Sequence, residues 1–229
     1  MTLEGTNTYL YGSGPCAVID PGPEDAGHLE AVLAAAAERG GIGIVLLTHS
    51  HGDHANGAEP LAELAGAEGE RPPVILPGDG EEHAGLRALA TPGHAPDHVC
   101  FLSDDGACFS GDLVLGLGST IVPPGGGSLA AYMDSLRRLQ AEPVELIAPG
   151  HGPWIADPAA KLAEYVEHRE MRERSLLAAL EGGERSKAAL LAAVWDDVPE
   201  PLRPAAAVAM ESHLEKLAAE GRLPGDLVD

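Results

Sequence analysis

Three histidines and one aspartate fall within six positions in Thr48-His49-Ser50-His51-Gly52-Asp53-His54, directly after the run Ile42-Gly43-Ile44-Val45-Leu46-Leu47. The run is apolar and β-branched, the pattern of a short buried strand. The cluster therefore sits where a strand ends and the chain turns. Packing alone gives no reason to crowd imidazoles there. Imidazoles with a carboxylate on a strand end suit a divalent transition metal, zinc first.

The same arrangement recurs along the chain. Thr6–Tyr11 and Cys16–Ile19 read as a hairpin across Gly12-Ser13-Gly14-Pro15, stopped by Asp20-Pro21-Gly22-Pro23. Residues 25–38 carry Leu29, Val32 and Leu33 at helical spacing, and a second helix is expected over 58–65. Short strands are expected at Val74–Leu76 and Leu86–Ala90, the latter running into Thr91-Pro92-Gly93-His94. A hairpin over 99–110 closes on Gly111-Asp112. An amphipathic helix over 129–140 precedes a strand over 144–148, which leads to Pro149-Gly150-His151-Gly152. Short strands alternating with helices make an α/β layered fold. Metal-capable side chains at its strand ends fit the division between rigid scaffold and functional loops.

From about residue 158 strand signals vanish. Helices are expected over 159–181, over 187–195 with Ser186 as N-cap, and over 205–220. This divides the chain into residues 1–158 and a helical appendage, 159–229.

His49 and His51 alternate as in extended chain and share a direction. Asp53 and His54 follow Gly52 and turn toward a neighbouring position. Together with His94, Asp112 and His151 they give five histidines and two carboxylates. Seven ligands exceed one tetrahedral zinc and suit two ions, typically ~3.5–4 Å apart, with one bridging carboxylate. Two Zn²⁺, two aspartates and a bridging hydroxide leave one net positive charge. That remaining charge suits an oxyanion at a carbonyl or phosphoryl centre, and no serine or cysteine nucleophile is required.

Composition narrows the substrate. The net charge is −22, with five basic against 22 acidic residues in 1–158 and nine against 14 in 159–229. Neither part carries the basic stripe that phosphate neutralisation needs, and aromatics for base stacking make up only 3%. Both features count against nucleic acid. Three cysteines, Cys16, Cys100 and Cys108, lie in strand-like runs and read as buried hydrophobes in a reducing cytosol. No apolar run approaches the ~18 residues of a membrane span. Met1–Gly5 lacks a basic and apolar leader, which predicts no secretory signal and a cytoplasmic location.

Thr48-His49-Ser50-His51-Gly52-Asp53-His54 resembles the T-H-x-H-x-D-H signature of the metallo-β-lactamase superfamily. Thr91–His94, Ser110-Gly111-Asp112 and Pro149–Gly152 resemble its later motifs, in the family's order. The resemblance spans about residues 6–155 and implies an αββα sandwich of two mixed sheets. It implies that His49, His51 and His94 hold one metal, that Asp53, His54 and His151 hold the second, and that Asp112 bridges. Such a set is similar to dinuclear hydrolases like glyoxalase II. Gly5–Leu10, Glu167-His168-Arg169-Glu170-Met171-Arg172-Glu173 and the helical tail resemble the β-lactamase-like protein 2 branch. There the tail is a winged-helix-like domain, and some members are reported as endoribonucleases.

The expected function is a dizinc hydrolase in which a metal-bridging hydroxide attacks a small-molecule ester, thioester or lactone, with Asp53 and Asp112 catalytic. The alternative is an endoribonuclease. A β-lactamase or a non-catalytic metal-binding module ranks lower. Asp20 and His98 are candidates for a place behind the ligands or at the substrate, and Asn7, Tyr9, Ser119 and Thr120 for the pocket lining. His28, His83, His168 and His213 receive no role, with His168 the one to revisit.

Overall fold

The computed structural model describes residues 5–223, 227 and 228. The leader reading therefore falls on residues 1–4, outside the described residues. In chain order the elements are β1 (Tyr9–Tyr11), β2 (Cys16–Ile19), α1 (Ala26–Ala37), β3 (Ile42–Leu46), α2 (Gly52–Ala55) and α3 (Ala58–Ala65). They continue with β4 (Val74–Ile75), β5 (Glu82–His83), β6 (Leu86–Ala90), β7 (Val99–Ser103) and β8 (Ala107–Gly111). Then come α4 (Leu129–Gln140), β9 (Leu146–Pro149), α5 (Pro158–Glu181), α6 (Lys187–Val194) and α7 (Arg203–Ala219).

Two mixed sheets form. The first runs β1-β2-β3-β4, antiparallel at β1–β2 and parallel beyond. The second runs β5-β6-β7-β8-β9, antiparallel until the parallel β8–β9 pair. Period-two alternation decides which residues meet. Ala17, Ile19 and Leu46 of the first sheet face Leu86, Ala88, Val99, Phe101 and Phe109 of the second, forming the central core. The intervening residues point outward. Val18 and Val45 pack under α1 and α3. Leu89, Cys100, Leu102 and Cys108 pack under α4 and the start of α5. The result is the αββα sandwich expected. All three cysteines are free and buried.

Side-chain caps set the helix starts: Asp25 for α1, Ser128 for α4, Asp157 for α5 and Ser186, as expected, for α6. α5 joins two cores. Leu162 and Tyr165 belong to the sandwich, whereas Leu176 and Leu180 pack with Leu190, Trp195, Met210 and Leu214 of the C-terminal helices.

Among the differences from the sequence reading, β1 starts at Tyr9 rather than Thr6, and three others have a clear physical reason. α7 starts at Arg203 rather than 205, because Pro204 occupies the first turn, where no amide donor is needed. β9 starts at Leu146 rather than 144, because the amides of Val144 and Glu145 are spent on the turn carbonyls of Glu142 and Gly106. β5 has no counterpart in the sequence reading. It is two polar residues that become a strand only by pairing with β6.

Phe101 is fully buried between the sheets, opposite Ala88 and Phe109. Phe101→Ala is expected to lower stability by about 3–5 kcal/mol. Urea unfolding should show a reduced midpoint with an unchanged slope.

Candidate metal centre

The parallel strands β2 and β3 end side by side, which sets Asp20 against Thr48. Asp20 takes a left-handed φ of 48°, a conformation aspartate tolerates better than most residues. Its Oδ1 accepts the Thr48 amide at 2.8 Å, and its Oδ2 accepts the Thr48 hydroxyl at 2.7 Å. The same Oδ2 lies 2.8 Å from His54 Nδ1. His51 is extended and the chain then closes into the single turn α2, which groups Asp53 and His54 with His151 while His51 groups with His49 and His94.

The other three ligand candidates arrive on the second sheet. The Val99 amide bonds the Thr48 carbonyl at 2.8 Å, tying the ends of the two sheets together. The Gly150 amide bonds the Gly111 carbonyl at 2.8 Å, setting His151 beside Asp112. Gly111 has φ 46°, and a Cβ there would stand 2.8 Å from His98 Nε2. A Cβ on Gly150 would stand 2.7 Å from the His54 ring and 2.8 Å from Asp112 Oδ1. Both positions exclude side chains so that the carboxylate can reach the histidines.

Two sets of donor atoms result. His51 Nδ1 lies 3.0 Å from His49 Nε2 and 2.9 Å from His94 Nε2. His151 Nε2 lies 3.3 Å from His54 Nε2 and 3.5 Å from Asp53 Oδ2. Asp112 stands between the sets. Its Oδ1 is 3.4 Å from His54 Nε2 and 3.5 Å from His151 Nε2, while its Oδ2 is 3.5 Å from His94 Nε2. The buried Oδ1 makes no hydrogen bond. A tetrahedron of 2.0–2.1 Å metal–nitrogen bonds has edges of about 3.3 Å. The spacing within each trio and the orphaned carboxylate oxygen both fit a pair of divalent ions.

The outward ring atoms are fixed as well. His94 Nδ1 donates to the Ile121 carbonyl at 2.7 Å, and His151 Nδ1 to the Gly5 carbonyl at 2.8 Å. With Asp20 behind His54, each of these imidazoles turns its Nε2 inward, the arrangement that orients metal ligands. His98 is buried behind Asp112. It accepts the Asp112 amide on Nε2 at 3.1 Å and faces the Thr91 hydroxyl with Nδ1 at 2.9 Å, so it orients the carboxylate without touching the cavity.

Burial, with His54 charge adding to it, pushes His49 down to about 3, and burial also lowers His94. Burial opposes charge on His54, but Asp20 and Asp112 outweigh it and lift this group to about 10. His151 is raised, against its own burial, by the hydrogen-bonding and charge of Asp112. Asp112, despite desolvation, is held far below the carboxylate range by His151 and His54.

An open cavity of about 530 Å³ rises from His51, Asp53, His94, Asp112 and His151. Ser119 and Thr120 line it; Asn7 and Tyr9 do not. Asn7 instead donates to the carbonyls of Pro149 and Gly152, and Tyr9 donates to Pro149 and stacks on Phe109. Both brace the His151 loop, because β1 runs behind that loop rather than under the cavity. Sequence reasoning missed the opposite wall, supplied by His168, Arg169, Arg172, Trp195, Ala209 and His213 of the C-terminal region. Helical periodicity marks such residues only as core.

Comparison with known proteins places this geometry. The pattern described as the metallo-beta-lactamase superfamily matches residues 1–77 and 67–151, and the beta-lactamase associated winged helix domain matches 186–223. A beta-lactamase-like protein 2 homolog from Drosophila melanogaster is 36% identical, covering 97% of this chain and 85% of its own. An atrochrysone carboxyl ACP thioesterase from Aspergillus fumigatus is 35% identical, covering 100% and 72%. A metallo-beta-lactamase family protein from Thermus thermophilus superposes with a TM-score of 0.71 at 28% identity, over 94% of this chain and 89% of that one. A structure solved in a di-iron-bound form superposes with a TM-score of 0.54 at 32% identity, over 72% and 92%.

Two measurements test the centre. Asp20→Asn presents an amide NH₂ to His54 Nδ1 in place of an acceptor. It is expected to weaken one of two bound metals about 10–100-fold, with the other retained, in competition against a chelator. In the metal-stripped protein His54 keeps its proton up to about pH 10. Metal uptake near pH 8 is therefore expected to release protons, and apparent affinity should rise with pH as proton competition fades. Calorimetry in buffers of different ionisation enthalpy reads the release; heats independent of buffer would contradict the assignment.

Proposed function

We propose that this chain, which belongs to the metallo-β-lactamase superfamily of metal-dependent hydrolases, cleaves a small acyl substrate, a thioester first, at a centre of two divalent ions, zinc first. The observation that carries the reading is Asp112. One of its oxygens faces His54 and His151, the other faces His94, and the carboxylate forms part of the floor of an otherwise largely apolar cavity. His49, His51 and His94 would hold one ion, Asp53, His54 and His151 the other, and Asp112 both. When bound, two such ions polarise an acyl carbonyl and lower the pKa of water to about 7. Imidazole and carboxylate donors also suit iron, and elemental analysis of the purified protein decides the metal.

The chain's own groups divide the remaining work. His98 and the glycines at 111 and 150 hold Asp112 in one orientation. Asp53 is the more exposed of the two carboxylates, with 31% of its side chain accessible against 11% for Asp112. It is the group placed to accept a proton at the cavity floor and pass it to solvent or to the departing thiol. Leu115, Leu117 and Ile121 offer apolar surface to one side of the acyl group. No cysteine lines the cavity, so attack by a protein thiol has no candidate there. The relative named as a thioesterase supports the choice of substrate class. Net charge of −22 opposes RNA as a polyanionic substrate. Among the described residues no helix is long and apolar enough to cross a membrane.

Metal-replete protein offered an acyl thioester, a lactone, a β-lactam and a structured RNA is expected to turn over the thioester and leave the RNA intact. Asp112→Ala should lower kcat/KM by about 100–1,000-fold. Salt-sensitive RNA cleavage, or full activity in the variant, would overturn the reading.

A further inference from the structure

The cavity wall farthest in sequence from the metal centre carries an electrostatic imbalance. Arg169 lies on α5 with 5% of its surface exposed, and it lines the cavity. Burying a guanidinium is costly unless a counter-charge and hydrogen bonds compensate it. Arg172, one turn on, is compensated. It forms a two-pronged pair with Asp197 at 2.8 Å and donates to the Val194 carbonyl. Arg169 has only neutral partners among the described residues. Its Nη2 donates to Ser119 Oγ at 3.1 Å and to the Thr120 carbonyl, and its guanidinium lies 5.5 Å from the Tyr132 ring centroid. Its Nε is buried with no hydrogen-bond partner, as is that of Arg172, so the difference between the two arginines is the missing carboxylate.

A second group nearby is in the same condition. His213 of α7 is 1% exposed, lines the cavity, and leaves both ring nitrogens without a partner. Burial, with the charge of Arg169 next, pushes it down to about 3, so it is a neutral donor and acceptor rather than a second cation. Trp195, Val198, Leu202, Ala206 and Ala209 line the same wall, together with His168 and the Asp197-paired Arg172. Leu117, 62% exposed, and Leu202, 48% exposed, also line the cavity.

We propose that this wall is an acyl subsite for an apolar acyl group that ends in a carboxylate, with Arg169 pairing the carboxylate and His213 hydrogen-bonding it. The proposal deepens the hydrolase reading and rests on it for the position of the scissile bond. One buried guanidinium with one neutral imidazole balances a single negative charge; a phosphate dianion would leave charge uncompensated. Arginine suits the task because its fork matches a carboxylate. A cavity of about 530 Å³ lies within the range that encloses a small molecule. The stretch Glu167–Glu173, conspicuous in the sequence but without a use there, thereby gains one.

The test needs no turnover, so it separates this subsite from the hydrolase reading. Monomethyl suberate and dimethyl suberate differ by one carboxylate. Calorimetry on the metal-loaded full chain is expected to show the monomethyl ester binding about 10–100-fold tighter, the worth of one charge-assisted hydrogen bond. Arg169→Gln should abolish the preference while dimethyl suberate still binds, and Arg169→Lys should restore part of it. Equal binding of the two probes to the unaltered protein overturns the proposal outright. So does a preference that survives Arg169→Gln, because the carboxylate would then be held by the metals. A purely structural role for Arg169 would weaken both probes together in both variants.

Discussion

Five imidazoles and two carboxylates converge around Asp112, and their mutual charges govern what the surrounding chain must do. Protonated imidazoles at 3 Å would repel, and bare carboxylates away from water would be costly. The fold resolves this unevenly. Burial pushes His49 down to about 3, whereas Asp20 and Asp112 lift His54 to about 10 and Asp112 raises His151.

Asp20 is the residue on which that arrangement turns. It closes the strand end through Thr48 and fixes the His54 ring through the same carboxylate. It can do both because β2 and β3 are parallel and end at one level, with the Asp20 amide on the Leu46 carbonyl. The second sheet repeats the device with β8 and β9, whose parallel ends carry Asp112 and His151. Two parallel strand pairs in two sheets, joined by the Val99–Thr48 bond, thus bring six of the seven ligand candidates to one edge. His94 comes from the loop between β6 and β7 and is held by the Ile121 carbonyl.

What the sequence makes legible follows from this construction. The strand before His49, the alternating hairpin over 99–110 and the ligand residues at strand ends are local patterns, and local patterns survive in a linear reading. Asp20 is readable as a candidate because it ends a strand, but its partner Thr48 is not, since parallel register is a tertiary fact. Asn7 and Tyr9 look like pocket residues in sequence, yet β1 runs behind the His151 loop and they brace it. The sequence leaves His98 balanced between surface and site; its amide contact to Asp112 depends on Gly111 adopting a positive φ. His213 receives no role from the sequence because a histidine in an amphipathic helix usually packs against neutral core. Neither its unpartnered nitrogens nor the missing counter-charge of Arg169 can be seen without the packing of α5 on α7.

The C-terminal region does more than cover the cavity. α5 runs continuously from the sandwich core at Leu162 and Tyr165 to the second core at Leu176 and Leu180. Along the way Tyr165 bonds the Leu115 amide and the Gly118 carbonyl, and Arg169 bonds Ser119 and Thr120. Ser212 of α7 bonds the Val122 carbonyl. The segment 115–122 is therefore held from the C-terminal side, and within it the Ile121 carbonyl orients His94. The carbonyl that Arg169 holds and the carbonyl that holds a metal ligand belong to adjacent residues. The wall proposed for the acyl group and the edge that carries the metal-ligand candidates therefore share one short segment. Through this linkage a helical appendage that contributes none of the seven ligand candidates belongs to the structure of the site.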